Sequence, residues 1–184
     1  MDKRERLLEL IRENTTKSNV KLSSGRSSNY YIDCRMVTLN PEGAALVAEI
    51  LFDILKDENI DAVGGLTLGA DPICGAFSVI SYQKGGPIPT FIVRKEKKEH
   101  GRQKRIEGNL KKGSKVAIID DVATTGNSLL TAINAVAEEG CRVQRVIVIV
   151  DRNEGAKEKL SEKGYELESI FRADEILKDE LKTS

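Results

Sequence analysis

The segment Val116-Ala117-Ile118-Ile119-Asp120-Asp121-Val122-Ala123-Thr124-Thr125-Gly126-Asn127-Ser128 carries the densest chemistry in this 184-residue chain. An apolar run ends in two adjacent carboxylates. A turn of small and hydroxyl residues follows, and then a helical pattern begins. Free backbone N–H groups, hydroxyls and the positive end of a helix dipole together cradle an anion, and a phosphate monoester suits them. Asp120 and Asp121 repel phosphate directly. They suit instead the hydroxyls of a sugar diol or the hydration shell of magnesium. A phosphate beside a sugar diol describes a ribose 5-phosphate. Neither G-x-x-x-x-G-K-[ST] nor G-x-G-x-x-G occurs, so this is not a Walker loop or a dinucleotide fingerprint.

Three further places hold candidate chemistry. Residues 94–105 carry seven basic side chains against two acidic ones, with His100 and Gly101 between them. With few apolar anchors, this stretch is expected to be mobile when no ligand is present, and a cationic loop that closes over a site suits a polyanionic leaving group. Asp151-Arg152 follows the apolar-rich strand segment Val143–Val150, and an arginine there suits bidentate grip of a carboxylate. Tyr30 and Tyr31 are adjacent, so on a strand they point to opposite faces and one of them at most stacks on a planar ligand.

These residues need a frame. Leu7, Leu8, Leu10 and Ile11 predict a helix over 3–13, and Pro41 opens another through about Lys56. Val20–Leu22 and Tyr30–Asp33 read as short strands around a Ser/Gly turn. Asp61–Gly65, Thr90–Val93, Lys115–Ile119, Val143–Val150 and Leu167–Phe171 read as strands, with helices over 72–80, 129–139, 155–163 and 173–182. Residues 94–108 break the pattern. Strands alternating with helices imply an α/β fold with a central parallel sheet flanked by helices, and ligands at the carboxyl ends of its strands.

Composition bounds the rest. Twenty-nine Lys plus Arg balance 29 Asp plus Glu, which argues against a general nucleic-acid binder. No apolar stretch reaches membrane-spanning length, and the charged start Asp2-Lys3-Arg4-Glu5-Arg6 does not read as a signal peptide. Cys34, Cys74 and Cys141 are dispersed and no C-x-x-C occurs, so neither a zinc site nor a disulfide framework is expected. A cytoplasmic protein with no membrane partner is the reading.

The 116–128 segment resembles the phosphoribosyl diphosphate (PRPP) motif of type I phosphoribosyltransferases. The spacing Arg94-Lys95-x-x-Lys98-x-His100-Gly101 is similar to the catalytic loop of one subgroup, the orotate phosphoribosyltransferases. Leu22–Asp33 resembles that subgroup's N-terminal signature, with Ser23 where many members have lysine. Gly64–Pro72 resembles the diphosphate loop, with Gly69 where some members have lysine. The resemblance spans roughly residues 20–152. It implies the type I phosphoribosyltransferase fold, one domain over 1–184 with a small N-terminal base-binding hood (1–35) and a flexible catalytic loop. It implies PRPP binding by Arg94, Lys95, Lys98, His100 and the run Asp120 to Ser128 (Asp120, Asp121, Val122, Ala123, Thr124, Thr125, Gly126, Asn127, Ser128). Lys98, His100, Asp120 and Asp121 would be catalytic, and Thr124, Arg152, Tyr30 and Tyr31 would hold orotate. It also implies Mg2+ held mainly through substrate and water, and a homodimer whose 94–108 loop reaches the partner subunit's site. The implied activity is transfer of ribose 5-phosphate from PRPP to orotate. A phosphoribosyltransferase for another base stays open, as does a ligand-sensing transcription regulator of the same fold. Residues 1–19 are too few for a helix-turn-helix domain, and the net charge of zero further disfavours the regulator.

Overall fold

The computed structural model describes residues 2–21, 27–96 and 105–178. The chain opens with α1 (Lys3–Glu13), the strands β1 (Thr15–Lys21) and β2 (Ser27–Ile32), α2 (Cys34–Thr38) and α3 (Pro41–Leu55). The order then runs β3 (Ala62–Leu66), α4 (Ala70–Gln83), β4 (Thr90–Val93), β5 (Ile106–Gly108), β6 (Lys115–Ala123) and α5 (Asn127–Glu138). It closes with β7 (Arg142–Asp151), α6 (Ala156–Ser161), β8 (Leu167–Arg172) and α7 (Ala173–Leu177).

β1 and β2 pair antiparallel as a separate hairpin, with Thr15 opposite Ile32 and Lys21 opposite Ser27. The main sheet has the order β5-β4-β3-β6-β7-β8. β4, β3, β6, β7 and β8 are parallel, and β5 runs antiparallel to β4 at the edge. Successive residues of the central strands supply opposite faces. Ala117, Ile119, Ile147 and Ile149 join the core under α1, α3 and α4, while Val116, Ile118, Val146 and Val148 join the core under α5 and α6. Strands covered on both sides must be apolar on both sides, which is why Val116–Ile119 of β6 and Val146–Val150 of β7 are unbroken apolar runs.

Local chemistry sets the helix ends. Asn40 caps α3, its Oδ1 accepting from the N–H groups of Glu42 at 2.9 Å and Gly43 at 3.2 Å, with Pro41 in the first turn. Gly126, at φ +78°, turns the chain from β6 into α5.

Several expectations shift. β1 begins at Thr15 rather than Val20, and its expected end at Leu22 lies outside the described residues. α2 was not foreseen, because five residues are too short to show a helical period. α4 starts at Ala70, before Pro72, so Pro72 sits within its first turn, where its missing N–H costs nothing. The break expected over 94–108 contains β5, three residues long, held by register with β4 rather than by any pattern of its own. β6 runs on to Ala123, so Asp120 and Asp121 belong to the strand instead of following it.

Candidate active site

Where the parallel strands end, the surface opens into a cleft of about 410 Å³, continuous with a second lobe of about 250 Å³. The smaller lobe is bounded by Asp120 and the unbroken run Val122 to Leu129. The larger is bounded by the β2–α2 segment (Tyr31 to Arg35), the loop after β3 (Leu66 to Gly69), Lys95, Arg152 and both carboxylates of β6. Asp120, Val122, Thr124 and Ser128 border both lobes.

The two carboxylates converge on Gly69. A Cβ built at Gly69 would lie 2.1 Å from Asp120 Oδ1 and 2.6 Å from Asp121 Oδ1. The backbone of the loop after β3 therefore touches both acids because residue 69 has no side chain. The Thr67–Leu68 peptide bond is cis. Asp71 braces this loop: Thr67 Oγ1 donates to Asp71 Oδ1 at 3.1 Å, and Asp71 Oδ2 is buried with no hydrogen-bond partner.

Asp120 is only 6% exposed. Burial first, then the neighbouring charges of Asp121 and Asp71, push its carboxyl well above the ordinary value, partly offset by the N–H of Asp121, which donates to Asp120 Oδ1 at 3.0 Å. The N–H of Val122 donates to Asp121 Oδ1 at 2.8 Å. These are acceptors held in place by their own backbone, ready for hydroxyl donors. Among the described residues no three His, Cys, Asp or Glu side chains come together as a metal-ligand set. Two adjacent carboxylates in one cleft fit the hydration shell of a divalent cation that is itself held through substrate oxygens and water.

Arg152 is 5% exposed and lines the larger lobe, so it is a buried cleft residue and not a solvated surface arginine. Its guanidinium lies 4.5 Å above the Tyr30 ring, and its Nε donates to Glu154 Oε1 at 2.9 Å. Its backbone N–H donates to Ala123 O at 3.0 Å, which ties the end of β7 to the end of β6. Stacking and ion pairing fix the plane of the fork, the condition for bidentate recognition. Asp151 orients backbone, its Oδ1 accepting from the N–H of Asn153 at 2.9 Å. The two tyrosines divide as strand alternation requires. Tyr30 packs beneath Arg152 against the core, burial raising its hydroxyl pKa, and Tyr31 lines the cleft.

Lys95 reaches the cleft, whereas Arg94 does not line it and lies 3.6 Å from Glu107. Lys98 and His100 lie outside the described residues. The cationic segment is closed at its base, because the N–H of Arg94 donates to Arg105 O at 2.8 Å where β4 meets β5. Arg105 is half-buried at that closure, 3.8 Å from Glu138.

Sequence reasoning missed Asp33, Cys34 and Arg35 as cleft residues. The signal was their adjacency to Tyr31, but α2 had to fold onto β6 to bring them there. Cys34 is no nucleophile: burial above all, then Asp121, Asp33 and Asp120, push its thiol well above the ordinary value.

Residues 35–173 match the phosphoribosyl transferase domain family. The chain belongs to the orotate phosphoribosyltransferase family. It is 44% identical over 181 residues to an orotate phosphoribosyltransferase of Aquifex aeolicus, covering 96% of this chain and 99% of that one. The crystal structure of the Mycobacterium tuberculosis H37Rv orotate phosphoribosyltransferase in complex with Fe(III) dicitrate superposes with a TM-score of 0.82, at 40% identity, over 95% of this chain and 99% of that one. The same M. tuberculosis protein in complex with PRPP superposes with a TM-score of 0.78, at 37% identity and the same coverage. In this phosphoribosyltransferase the two lobes, the paired acids and the buried arginine thus lie at the strand ends of a family scaffold.

Proposed function

We propose that this phosphoribosyltransferase transfers ribose 5-phosphate from PRPP to orotate, giving orotidine 5′-phosphate and diphosphate in pyrimidine synthesis. The observation that carries the choice of base is Arg152, a buried guanidinium with a fixed plane in the same cleft as the paired acids. A base bearing a carboxylate suits that guanidinium, whose plane Tyr30 and Glu154 already fix.

The residues divide the work. The turn Thr124 to Ser128 receives the 5-phosphate at the N-terminus of α5. Asp120 and Asp121 accept from the ribose hydroxyls, which orients the anomeric carbon. Thr124, Tyr31 and Arg152 hold orotate, with Tyr30 supporting Arg152 from below. Orotate's ring nitrogen forms a bond to the anomeric carbon as the bond to the diphosphate oxygen breaks, and the bonding pair leaves with diphosphate. No protein nucleophile is needed. Lys95, with Arg94, Lys98 and His100 of the catalytic loop, meets the charge that develops on diphosphate, and Lys98 supplies a proton to it. Mg2+ bound with PRPP would offset the negative charge of the diphosphate, with Asp120 and Asp121 facing its hydration shell.

The same reading takes 1–184 as one phosphoribosyltransferase domain with 1–35 as the hood over the base, a cytoplasmic location, and a homodimer. The location is supported by three separate, buried, unpaired cysteines. The dimer is supported by large apolar residues left exposed, Val79 and Tyr82 on one side of α4 and Met36 and Leu39 at α2.

The test is consumption of orotate by purified protein with PRPP and magnesium, with uracil and adenine in parallel. Loss of orotate alone is expected, and Arg152→Ala is expected to lower kcat/KM for orotate by about a hundredfold or more. Equal use of uracil would overturn the carboxylate reading.

A further inference from the structure

The diphosphate end of the cleft lacks a lysine at position 69, and the geometry excludes any side chain there while Asp120 and Asp121 keep their places. The cleft must nevertheless receive a polyanion beside two carboxylates. Among the described residues its cations are Arg152, Lys95 and Arg35. Arg152 is buried on Tyr30 and paired with Glu154 at the far end of β7. Lys95 follows β4. Lys95 already meets the diphosphate in the proposed function, and the cation still without a role is Arg35, at the start of α2, which packs on β6 and brings the guanidinium within the electrostatic reach of Asp121.

Arg35 is held loosely. Its Nη2 lies at 3.5 Å from Tyr31 Oη, the outer limit of a hydrogen bond, and its Nε at 3.8 Å from Asp33 Oδ1, with the side chain 52% exposed. Such contacts cost little to exchange for a stronger partner. The position fits one part of the substrate. With the 5-phosphate in the smaller lobe and the ribose diol on the paired acids, the anomeric substituent points away from α5. That direction leads into the larger lobe, where Gly69, Lys95 and Arg35 lie. A planar fork of donors matches the adjacent oxygens of a diphosphate.

We propose that Arg35 is a PRPP-binding residue that exchanges Tyr31 and Asp33 for the diphosphate, supplying from α2 the cationic contact that glycine at position 69 withholds. This rests on the phosphoribosyltransferase reading of the cleft and adds a contact to it. Its consequence is a division of the binding site by ligand part. Arg35 bears on the diphosphate and not on the 5-phosphate, the ribose or the base.

The experiment compares full-length wild type, Arg35→Ala and Arg35→Lys by calorimetric titration with magnesium present and orotate absent. The three probes are PRPP, inorganic diphosphate and ribose 5-phosphate. Thermal midpoints and the KM for orotate are measured alongside. Arg35→Ala is expected to weaken PRPP and diphosphate by about tenfold or more, with ribose 5-phosphate and the orotate KM within about twofold, and Arg35→Lys is expected to recover part of the loss. Unchanged PRPP and diphosphate affinity overturns the proposal. So does equal weakening of ribose 5-phosphate, which would mark a structural role, or a rise confined to the orotate KM, which would mark a base contact. A wild type that binds PRPP without converting orotate would break the choice of base and leave the Arg35 result to be judged on binding alone.

Discussion

Asp120 is buried beside Asp121 and Asp71, with no cation paired to it among the described residues, so folding places a carboxyl where its charge is disfavoured. Its folded pKa is raised above the unfolded one, so the folded state binds more protons than the unfolded state. Stability therefore falls as pH rises from the unfolded value toward the folded one, and the cost is fully present above both. Asp120→Asn removes the charge and keeps the shape. It is expected to raise the thermal midpoint at pH 7, with the gain shrinking as pH falls to about 4 and below, while turnover drops by about a hundredfold or more. Melting curves across pH, with an activity assay, check both parts, and a variant less stable than wild type at pH 7 would refute the burial argument. Gly69 gives the complementary case. Gly69→Ala drives a methyl into both carboxylates rather than into the core. It is expected to raise the KM for PRPP by about tenfold with the melting midpoint within about 3 °C of wild type.

Among the elements, β3 shows how a strand can be shaped by its neighbours. Its Gly64 and Gly65 lie between β4 and β6, and a Cβ at Gly65 would stand 2.0 Å from Ile119 O and 2.8 Å from Ala70 Cβ. The obstacle here is backbone, which cannot rotate away. Gly65→Ala is expected to destabilise the fold by about 1–3 kcal/mol, read as a lower denaturation midpoint at unchanged slope. The contrast with Gly69→Ala is the point: one methyl strikes the sheet and lowers stability, the other strikes the site and lowers activity. The cationic segment is likewise built on an element. β4 and β5 close its base, so a long basic excursion leaves and returns at one place beside the cleft.

For the molecule as a whole, the homodimer reading predicts complementation. Lys98→Ala alone is expected to lower turnover by at least about tenfold, and Asp121→Asn to abolish it. If the catalytic loop serves the partner subunit's site, a mixed dimer of the two variants holds one intact site and one doubly altered site. Random exchange at equal amounts then restores about a quarter of wild-type activity. A loop acting within its own subunit gives no restoration, and the assay on mixed, re-equilibrated protein decides between them.

The parallel sheet, the acidic pair, the hydroxyl-rich turn and the arginine after β7 were legible in the sequence because each is written in consecutive residues. An apolar run buried on both faces, two acids at its end and a hydroxyl-rich turn are local patterns, and the side chains they need are dictated by burial and backbone hydrogen bonding. The resemblance of those motifs to a family supplied the base and the leaving group. What the sequence could not state was distance between segments. That Gly69 is the point where two carboxylates converge, that Tyr30 lies under Arg152 while Tyr31 faces the cleft, and that Arg35 lines the same cleft as both acids all depend on separate segments being packed together. α2 is too short to announce itself and β5 exists only through pairing with β4. Local patterns fix which chemistry the chain carries. Only long-range packing, whose partners are many residues apart, decides which groups share one cleft.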